Sequence, residues 1–265
     1  MRIISLAVDG IHQASRRGLF QWLASLEANI ICLQDLRAQT SELTSNPDFE
    51  LDGYFSYFFD SPAPQHNGVA IYSREVPKAI MYGFGASNAE DMNGRYLQAD
   101  FEHVSVCSLL APNAATDSKT ITSSAAEQEI KDHFFRDLLS HLNKISHKRR
   151  EYVICGNWNI AHRDIDVSDP SSSMGTSGYL SNEQQCLDQL YKNIGYADAF
   201  RLFNTDADEF NYWPSGEQDV GPGWRTDLQV VSQGLINCVE YAVIYKAKTF
   251  SSHSPVIIDY DLENL

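Results

Sequence analysis

Short apolar segments of four to seven residues recur along the whole chain, and most are rich in β-branched or aromatic residues. Segments of this length and composition are typical of strands in a buried sheet. The pattern predicts ten strands: Ile3–Val8, Ile30–Leu33, Tyr54–Phe59, Val69–Tyr72, Tyr96–Phe101, Val104–Leu110, Tyr152–Cys155, Leu228–Val231, Val239–Ile244 and Val256–Tyr260.

Three segments between these strands repeat apolar residues every three or four positions, which is the spacing of one helical face. Ser181 is the predicted N-cap of the third of these helices. The three faces comprise Leu19, Trp22, Leu23 and Leu26, then Ile130, Phe134, Leu138 and Leu142, and finally Leu187, Leu190 and Ile194.

The order of these elements favours an α/β fold over a simple Rossmann order, because several strands follow one another without a helix between them. Two packed sheets with helices outside would suit both features. We expect one domain over residues 1–265, with the polar segments 113–124 and 164–178 as long internal loops.

The net charge of the chain excludes more classes of binding partner than its composition does. Hydrophobic residues make up 43% and charged residues 21%, and the formal charge is −15. An acidic protein is repelled by nucleic acid and anionic membranes unless it has a local basic patch or a basic partner. The five cysteines form no CxxC pair, and no signal peptide or apolar run of roughly 18 residues is present, so a cytoplasmic location is expected.

Polar or charged residues cluster at strand edges, where α/β enzymes present catalytic groups. The most informative of these segments follows the strand Tyr152–Cys155. The six segments are Ala7-Val8-Asp9-Gly10, Leu33-Gln34-Asp35, Leu109-Leu110-Ala111-Pro112, Gly156-Asn157-Trp158-Asn159, Arg225-Thr226-Asp227-Leu228 and Ser251-Ser252-His253-Ser254-Pro255.

The order and spacing of these segments resemble the exonuclease III branch of the endonuclease/exonuclease/phosphatase superfamily, nearly from end to end. The segments 65–72, 195–201 and 208–213 also resemble that family. The resemblance implies a four-layered α/β sandwich, with two packed mixed β-sheets flanked by helices. It also implies that active members are Mg²⁺-dependent phosphodiesterases.

The first three catalytic positions of the family are altered in this chain. The resemblance places an asparagine of the family at Ala7, its metal-binding glutamate at Asp35 and its catalytic tyrosine at Leu110. Asp35 keeps the negative charge on a side chain that is one methylene shorter. Alanine loses a polar contact, and leucine cannot form a hydrogen bond to a phosphate.

The remaining positions are partly retained. The resemblance places the aspartate that aligns or deprotonates the attacking water at Asn157, whereas Asn159 and Asp227 keep the residues of the family. In the closing Asp-His pair the aspartate becomes Ser252, and the histidine is retained as His253. We therefore expect His253 to lack its carboxylate partner.

These changes predict a pseudoenzyme of the exonuclease III family, with no catalytic residues in the remnant pocket. An amide is no general base near neutral pH, and losing carboxylates at Asn157 and Ser252 removes two negative charges from a Mg²⁺ site. We expect no cofactor and no metal. Mg²⁺ is expected only with residual nuclease activity, and then at Asp35 and Asp227.

One subfamily with such altered sites regulates translation in carbon catabolite repression, together with the RNA chaperone Hfq on A-rich mRNA motifs. The segments 1–5, 51–55, 94–101 and 148–152 resemble it. The resemblance implies little or no binding to RNA alone, and it leaves self-association within the assembly open. Candidate RNA- or partner-binding residues are Lys144, Lys148, Arg149 and Arg150.

Other interpretations stay open. A weak Mg²⁺-dependent nuclease, or an abasic endonuclease, would use the retained Asp35, Asn159, Asp227 and His253, and a nucleotide or phosphate sensor would use the same pocket without turnover. The retained residues are also consistent with a buried hydrogen-bond network. Similarly, the basic cluster is consistent with cations that complement the dipole at a helix C-terminus.

Overall fold

Fourteen strands and seven α-helices form within the part of the chain that this computed structural model describes. It describes residues 1–63, 65–85, 93–117, 120–123, 125–218 and 220–263, without the side chains of 115–117 and 120–123. The strands are β1 Arg2–Ala7, β2 Ile30–Gln34, β3 Phe55–Phe59, β4 Val69–Ser73, β5 Ala79–Tyr82, β6 Tyr96–Asp100, β7 Val104–Leu110, β8 Ala115–Asp117, β9 Thr120–Ser123, β10 Glu151–Asn157, β11 Ala197–Asp198, β12 Asp227–Val231, β13 Val239–Ile244 and β14 Val256–Tyr260. The helices are α1 Ile11–Arg16, α2 Leu19–Ala24, α3 Thr40–Ser45, α4 Ala125–Ser146, α5 Pro170–Ser173, α6 Ser181–Gln189 and α7 Ala199–Phe203.

Twelve of these strands form two mixed six-stranded sheets. The first has the order β13-β14-β1-β2-β4-β3, and the second has the order β11-β12-β10-β7-β6-β5. One neighbouring pair in each sheet is parallel, β1 with β2 and β7 with β10, and the other neighbours are antiparallel. The strands β8 and β9 form a separate hairpin.

Side chains of alternate residues on each strand point to opposite faces, so each sheet buries two apolar surfaces. Ile3 and Val153 belong to the core between the sheets. Their neighbours belong to outer cores: Ile4 packs with α1 and α2, and Ile154 packs with α4 and α6. Each fully buried side chain of this size contributes roughly 1.5–3 kcal/mol to folding. The result is the expected four-layered α/β sandwich.

Two buried glutamines join the sheets near the middle of the sandwich. The Gln34 amide donates to Ser108 Oγ at 2.9 Å, and the Gln229 amide donates to the carbonyls of Ile3 and Val256, both at 3.2 Å. A polar group buried in a low-dielectric core is costly without a hydrogen-bond partner. These bonds therefore favour the one alignment of the two sheets in which they form. That alignment brings the strand ends together at one edge of the sandwich.

Several local expectations differ from the structure. Ile130 is 39% exposed and does not share the buried face of α4. Ser181 is the first residue of α6 and Leu180 is its N-cap, with the backbone N–H of Leu180 donating to the Glu183 carboxylate at 3.0 Å. The predicted loop 113–124 contains β8 and β9, although Ser118, Lys119 and Ser124 lie outside the described residues. The predicted loop 164–178 contains α5.

The strands β5 and β11 were not expected. The edge strand β5 is a run of only four apolar residues whose Met81 and Tyr82 are exposed, and β11 has only two residues. Among the described residues, none of the helices combines the length and the apolar character that crossing a membrane requires.

Candidate active site

Three of the candidate positions lie side by side on the second sheet. Asn157 pairs with Leu110 on the parallel neighbour β7 and with Asp227 on the antiparallel neighbour β12. Asp35 follows the end of β2 in the first sheet. Since the two sheets face each other, their strand ends form opposite walls of one pocket.

Only glycine fits directly before Asn157. The φ of Gly156 is 148°, and a Cβ at this position would lie 1.9 Å from the carbonyl oxygen of Leu109. The close approach of β7 and β10 therefore requires a residue without a side chain. It fixes where the backbone turns and presents Asn157 to the pocket.

The pocket at this edge has a volume of about 790 Å³, within the range of small-molecule and cofactor sites. Asp227 lies beneath it and reaches it through His253, whereas Ala7 is fully buried at the end of β1 and is not part of its wall. The candidate residues in its wall are Asp35, Leu110, Asn157, Asn159, Ser252 and His253.

The expectation that His253 lacks a carboxylate partner is wrong. His253 Nδ1 lies 2.7 Å from Asp227 Oδ2, and both side chains are buried. Burial lowers the pKa of His253, but Asp227, Asp9 and Asp35 more than reverse this effect and raise it to about 9. Burial raises the pKa of Asp227, against the effect of the imidazolium. The pair therefore places a cationic imidazole at the pocket floor at neutral pH.

The Tyr212 ring fixes the imidazole from one side. The two rings are stacked, with centroids 4.5 Å apart and planes inclined by 21°. The backbone below is held by Asn211, whose side-chain oxygen accepts the N–H groups of Thr226 and Asp227. His253 is therefore oriented by a carboxylate, a ring face and a fixed loop.

Asp9 supplies a carboxylate for which no role was predicted. Its Oδ2 accepts the Ser252 backbone N–H at 2.8 Å and the Ser252 hydroxyl at 2.5 Å. Burial raises the pKa of Asp9, but His253, the Ser252 hydrogen bonds and Arg37 outweigh it and lower the pKa overall. Ser252 thus holds the Asp9 carboxylate close to position 252, where the resemblance implies that other family members have an aspartate.

Asp35 is paired with an arginine that was not predicted. Arg37 Nη2 lies 2.6 Å from Asp35 Oδ2 and 3.7 Å from Asp9 Oδ1. The backbone N–H of Arg37 donates to the carbonyl of Asn67, which anchors this loop to the neighbouring one. The signal in the sequence was the spacing Asp35-Leu36-Arg37, which places both side chains on one loop.

Asn157 and Asn159 are connected through their side chains and the backbone. Asn157 Oδ1 accepts the Asn159 N–H at 2.9 Å, and Asn159 Nδ2 donates to the Ala111 carbonyl at 2.8 Å. The carbonyl of Asn159 accepts from the buried Lys131 Nζ at 2.8 Å, and Lys131 forms an ion pair with Glu183 at 2.6 Å. Helix α4 therefore holds the loop after β10 in place.

Backbone strain is concentrated around the pocket. Seven described residues other than glycine have positive φ, and all of them but Asp208 line the pocket. Such conformations cost of order 1–3 kcal/mol when tertiary structure imposes them, and they cluster at functional sites. The six strained residues are Asp9, Asp35, Arg37, Gln65, Asn67 and Asn159.

A buried ion-pair network supports the strand that carries Asp227. Arg225 Nε donates to Asp166 at 2.8 Å, and Arg225 Nη2 donates to Asp198 at 2.6 Å. Arg201 binds the same Asp166 oxygen at 2.8 Å. Burial raises the pKa of Asp166, but Arg225 and Arg201 reverse this and lower it to about 2. The network fixes the loop 158–179 against β12.

The pocket does not match the ligand set of a resident Mg²⁺ ion. That ion requires several anionic or neutral oxygens in near-octahedral geometry. Within the described residues, no three His, Cys, Asp or Glu side chains are grouped to hold a metal. Asp35 and Asp227, the expected pair, instead bind Arg37 and His253.

The basic cluster lies at the other end of β10 from the pocket. Seven residues of β10 separate Arg150 from Trp158, a span of about 25 Å. Lys144, Lys148 and Arg149 are exposed, whereas Arg150 donates to the Phe101 carbonyl at 2.6 Å. Arg150 therefore has a structural role that the other three do not share.

Comparisons with known proteins agree with this geometry. A model of the Endonuclease/Exonuclease/phosphatase family matches residues 9–253. An exodeoxyribonuclease of Bacillus subtilis is 28% identical over 260 residues, which cover 97% of this chain and 98% of that protein. The DNA repair nuclease APEX1 of Danio rerio is 26% identical over 266 residues, covering 97% of this chain and 81% of that protein.

Solved structures show the same fold. An AP endonuclease from Archaeoglobus fulgidus has a TM-score of 0.84 at 20% identity, covering 99% of this chain and all of that one. A 3′-5′ exonuclease from Neisseria meningitidis has the same TM-score at 21% identity, with 98% and 100% covered.

These findings overturn the prediction of a pseudoenzyme. The relatives that align over nearly the whole chain are named as nucleases, so the comparisons point to an enzyme. They also agree with the resemblance to the exonuclease III branch, since the relatives are named as exodeoxyribonucleases and as an apurinic or apyrimidinic site endonuclease. The chain belongs to the Endonuclease/Exonuclease/phosphatase family.

Proposed function

We propose that the chain is a nuclease that hydrolyses phosphodiester bonds of DNA in the pocket above Asp227, at a low rate. The observation that carries this proposal is the His253–Asp227 pair, in which a buried imidazole lies 2.7 Å from a carboxylate at the pocket floor. Because the pKa of His253 is raised to about 9, this imidazole is protonated near neutral pH. The names of the relatives supply the class of substrate, exodeoxyribonuclease and abasic-site endonuclease.

The chemistry requires stabilisation of negative charge on the phosphate. Hydrolysis adds one water across the P–O bond, with the hydroxyl going to phosphorus and the hydrogen to the leaving oxygen. An imidazolium aimed at the phosphate strengthens its hydrogen bond as charge develops. The side chain of His253 provides that positive charge, and the amide of Asn157 in the pocket wall offers a neutral donor.

Activation of the water is the weak step. Asn157 cannot accept the proton, and the lowered pKa of Asp9 makes that carboxylate a poor base near neutral pH. A general base contributes typically about 10²–10⁴-fold to such a reaction. We therefore expect turnover well below that of a nuclease with a carboxylate at position 157.

Repurified protein should cleave an abasic duplex or a 3′-recessed duplex slowly, and His253→Gln should lose roughly 100-fold or more of that rate. Product formation would be measured on labelled DNA in Mg²⁺, in Mn²⁺ and in EDTA. His103→Gln is the matched control, because His103 is exposed and lies outside the pocket.

The variant Asn157→Asp tests the weak step and should cleave faster than the native chain. Cleavage that co-purifies with the native protein but is equal in His253→Gln would indicate a contaminating nuclease. Absence of cleavage by the native chain on both substrates would overturn the proposed function.

As a second candidate function, we propose that the chain joins a complex of the RNA chaperone Hfq with A-rich mRNA, as the catabolite repression control protein does, which the sequence resembles. The favouring observation is the exposed group Lys144, Lys148 and Arg149, which forms no ion pair among the described residues. A net charge of −15 disfavours binding of RNA alone, whereas a local cationic patch can contact RNA already held by a partner.

Charge reversal in this patch should weaken assembly with Hfq and A-rich RNA by roughly tenfold, since each lost phosphate contact reduces affinity. The variant is Lys148→Glu with Arg149→Glu, and native gels at physiological salt would measure assembly. Arg150 is left intact because it binds the Phe101 carbonyl. The matched control reverses Lys78 and Lys192, which are exposed and paired elsewhere. Equal assembly by both double variants would contradict this candidate.

A further inference from the structure

The carboxylates of the pocket are neutralised by side chains of the chain itself. Asp9 and Asp35 face Arg37, and Asp227 faces His253. Arg95 also lines the pocket. With His253 protonated, the three carboxylates meet three positive charges, so a divalent ion would add two uncompensated charges.

The position of the guanidinium is built into two loops. The Arg37 N–H donates to the Asn67 carbonyl at 2.8 Å, and the Gly10 N–H donates to the Asp35 carbonyl at 2.9 Å. The Arg37 stem passes over Gly10, with its Cδ 3.8 Å from the place where a Cβ would stand. Arg37 is thereby directed to the gap between the two carboxylates that follow β1 and β2.

We propose that the Arg37 guanidinium takes the place of a divalent cation, bridging Asp9 and Asp35, so that the native pocket binds no Mg²⁺ or Mn²⁺. An arginine is permanently charged and presents several N–H donors in a planar fork, which suits two carboxylates. Unlike a metal ion, the guanidinium needs no further oxygen ligands. It therefore does not require carboxylates at positions 157 and 252, where this chain has Asn157 and Ser252. The inference shares its pocket with the proposed nuclease but does not depend on turnover.

Removing the charge of Arg37 should create a cation site. Mn²⁺ binding would be measured without nucleic acid, from the loss of the free-ion electron paramagnetic resonance signal during titration. Arg37→Met should bind one Mn²⁺ at least tenfold more tightly than the native chain, and Mg²⁺ should compete for it. Arg37→Lys keeps the charge and should bind as weakly as the native chain.

Two further variants make the result decisive. Asp35→Asn in the Arg37→Met background should abolish the new site, and Arg37→Gln should reproduce it if Arg37→Met fails to fold. Near-ultraviolet circular dichroism would establish folding. Native protein that binds one Mn²⁺ as tightly as Arg37→Met would overturn the inference, as would folded charge-removed variants that bind no more tightly. Neither result depends on whether the chain cleaves DNA.

Discussion

Replacing Asp166 with alanine is expected to destabilise the fold by roughly 3–5 kcal/mol, the usual cost of removing one partner from a buried ion pair. Asp166 is fully buried and accepts from both Arg225 and Arg201. Its removal leaves two desolvated guanidinium groups, and Asp198 compensates only part of the charge of Arg225. In a protein of this size the melting temperature should fall by on the order of 10 °C.

Differential scanning calorimetry at neutral pH would measure this change. The control is Glu102→Ala, which removes an exposed partner of Lys78 and should leave the melting temperature unchanged. An unchanged melting temperature in Asp166→Ala would mean that the network contributes no net stability.

The same carboxyl group predicts the acid sensitivity of the native chain. Its pKa of about 2 lies below the ordinary value of 3.8, so its stabilisation is complete above about pH 4 and is lost as the pH falls through 2. Between pH 4 and pH 2 the free energy of unfolding of the native chain should fall by about 2 kcal/mol more than that of Asp166→Ala. Urea unfolding at pH 2, 3, 4 and 5 would show the difference, and parallel pH profiles would exclude Asp166 as its source.

Much of the fold could be predicted because buried strands leave long apolar runs. The segment Val104–Leu110 was predicted with its observed bounds, since every residue in it is buried. The strand β5 was missed although Ala79–Tyr82 is apolar, because this run is short and contains a single β-branched residue, Ile80. The motifs follow the ends of predicted strands, and strand ends meet at one edge of a sandwich. The topology therefore predicts that Asp35, Asn157 and His253 share one pocket.

The charge pairing within the pocket could not be predicted in the same way. Asp9 and Arg37 meet across two loops, and Asp227 meets His253 from a different strand. Such distances depend on backbone turns of positive φ and on how two sheets align, which no local pattern specifies. For this reason the motifs showed which carboxylates of the family are replaced, but not that Asp9 lies in the pocket or that His253 keeps a carboxylate partner.

Replacing Asp227 with asparagine is expected to lower the pKa of His253 well below its value of about 9, because Asp227 contributes most to raising it and only Asp9 and Asp35 then oppose the effect of burial. The imidazole would be largely neutral at pH 7.5 and could no longer offer a positive charge to a phosphate. Cleavage of an abasic duplex at pH 7.5 should fall by roughly 100- to 1000-fold. The decrease should be smaller at pH 6, where part of the imidazole is protonated again.

Titration of the imidazole by NMR separates this electrostatic role from a structural one. The native His253 should titrate near pH 9, and in Asp227→Asn the transition should move down together with the pH profile of cleavage. Asp188→Asn is the matched control, since Asp188 contacts His162 on the surface and not in the pocket. A variant that folds normally, with His253 still titrating near pH 9, would show that Asp227 does not set its charge. Loss of cleavage that is equal at pH 6 and pH 7.5 would assign Asp227 a positioning role alone, because restoring the imidazolium would then restore nothing.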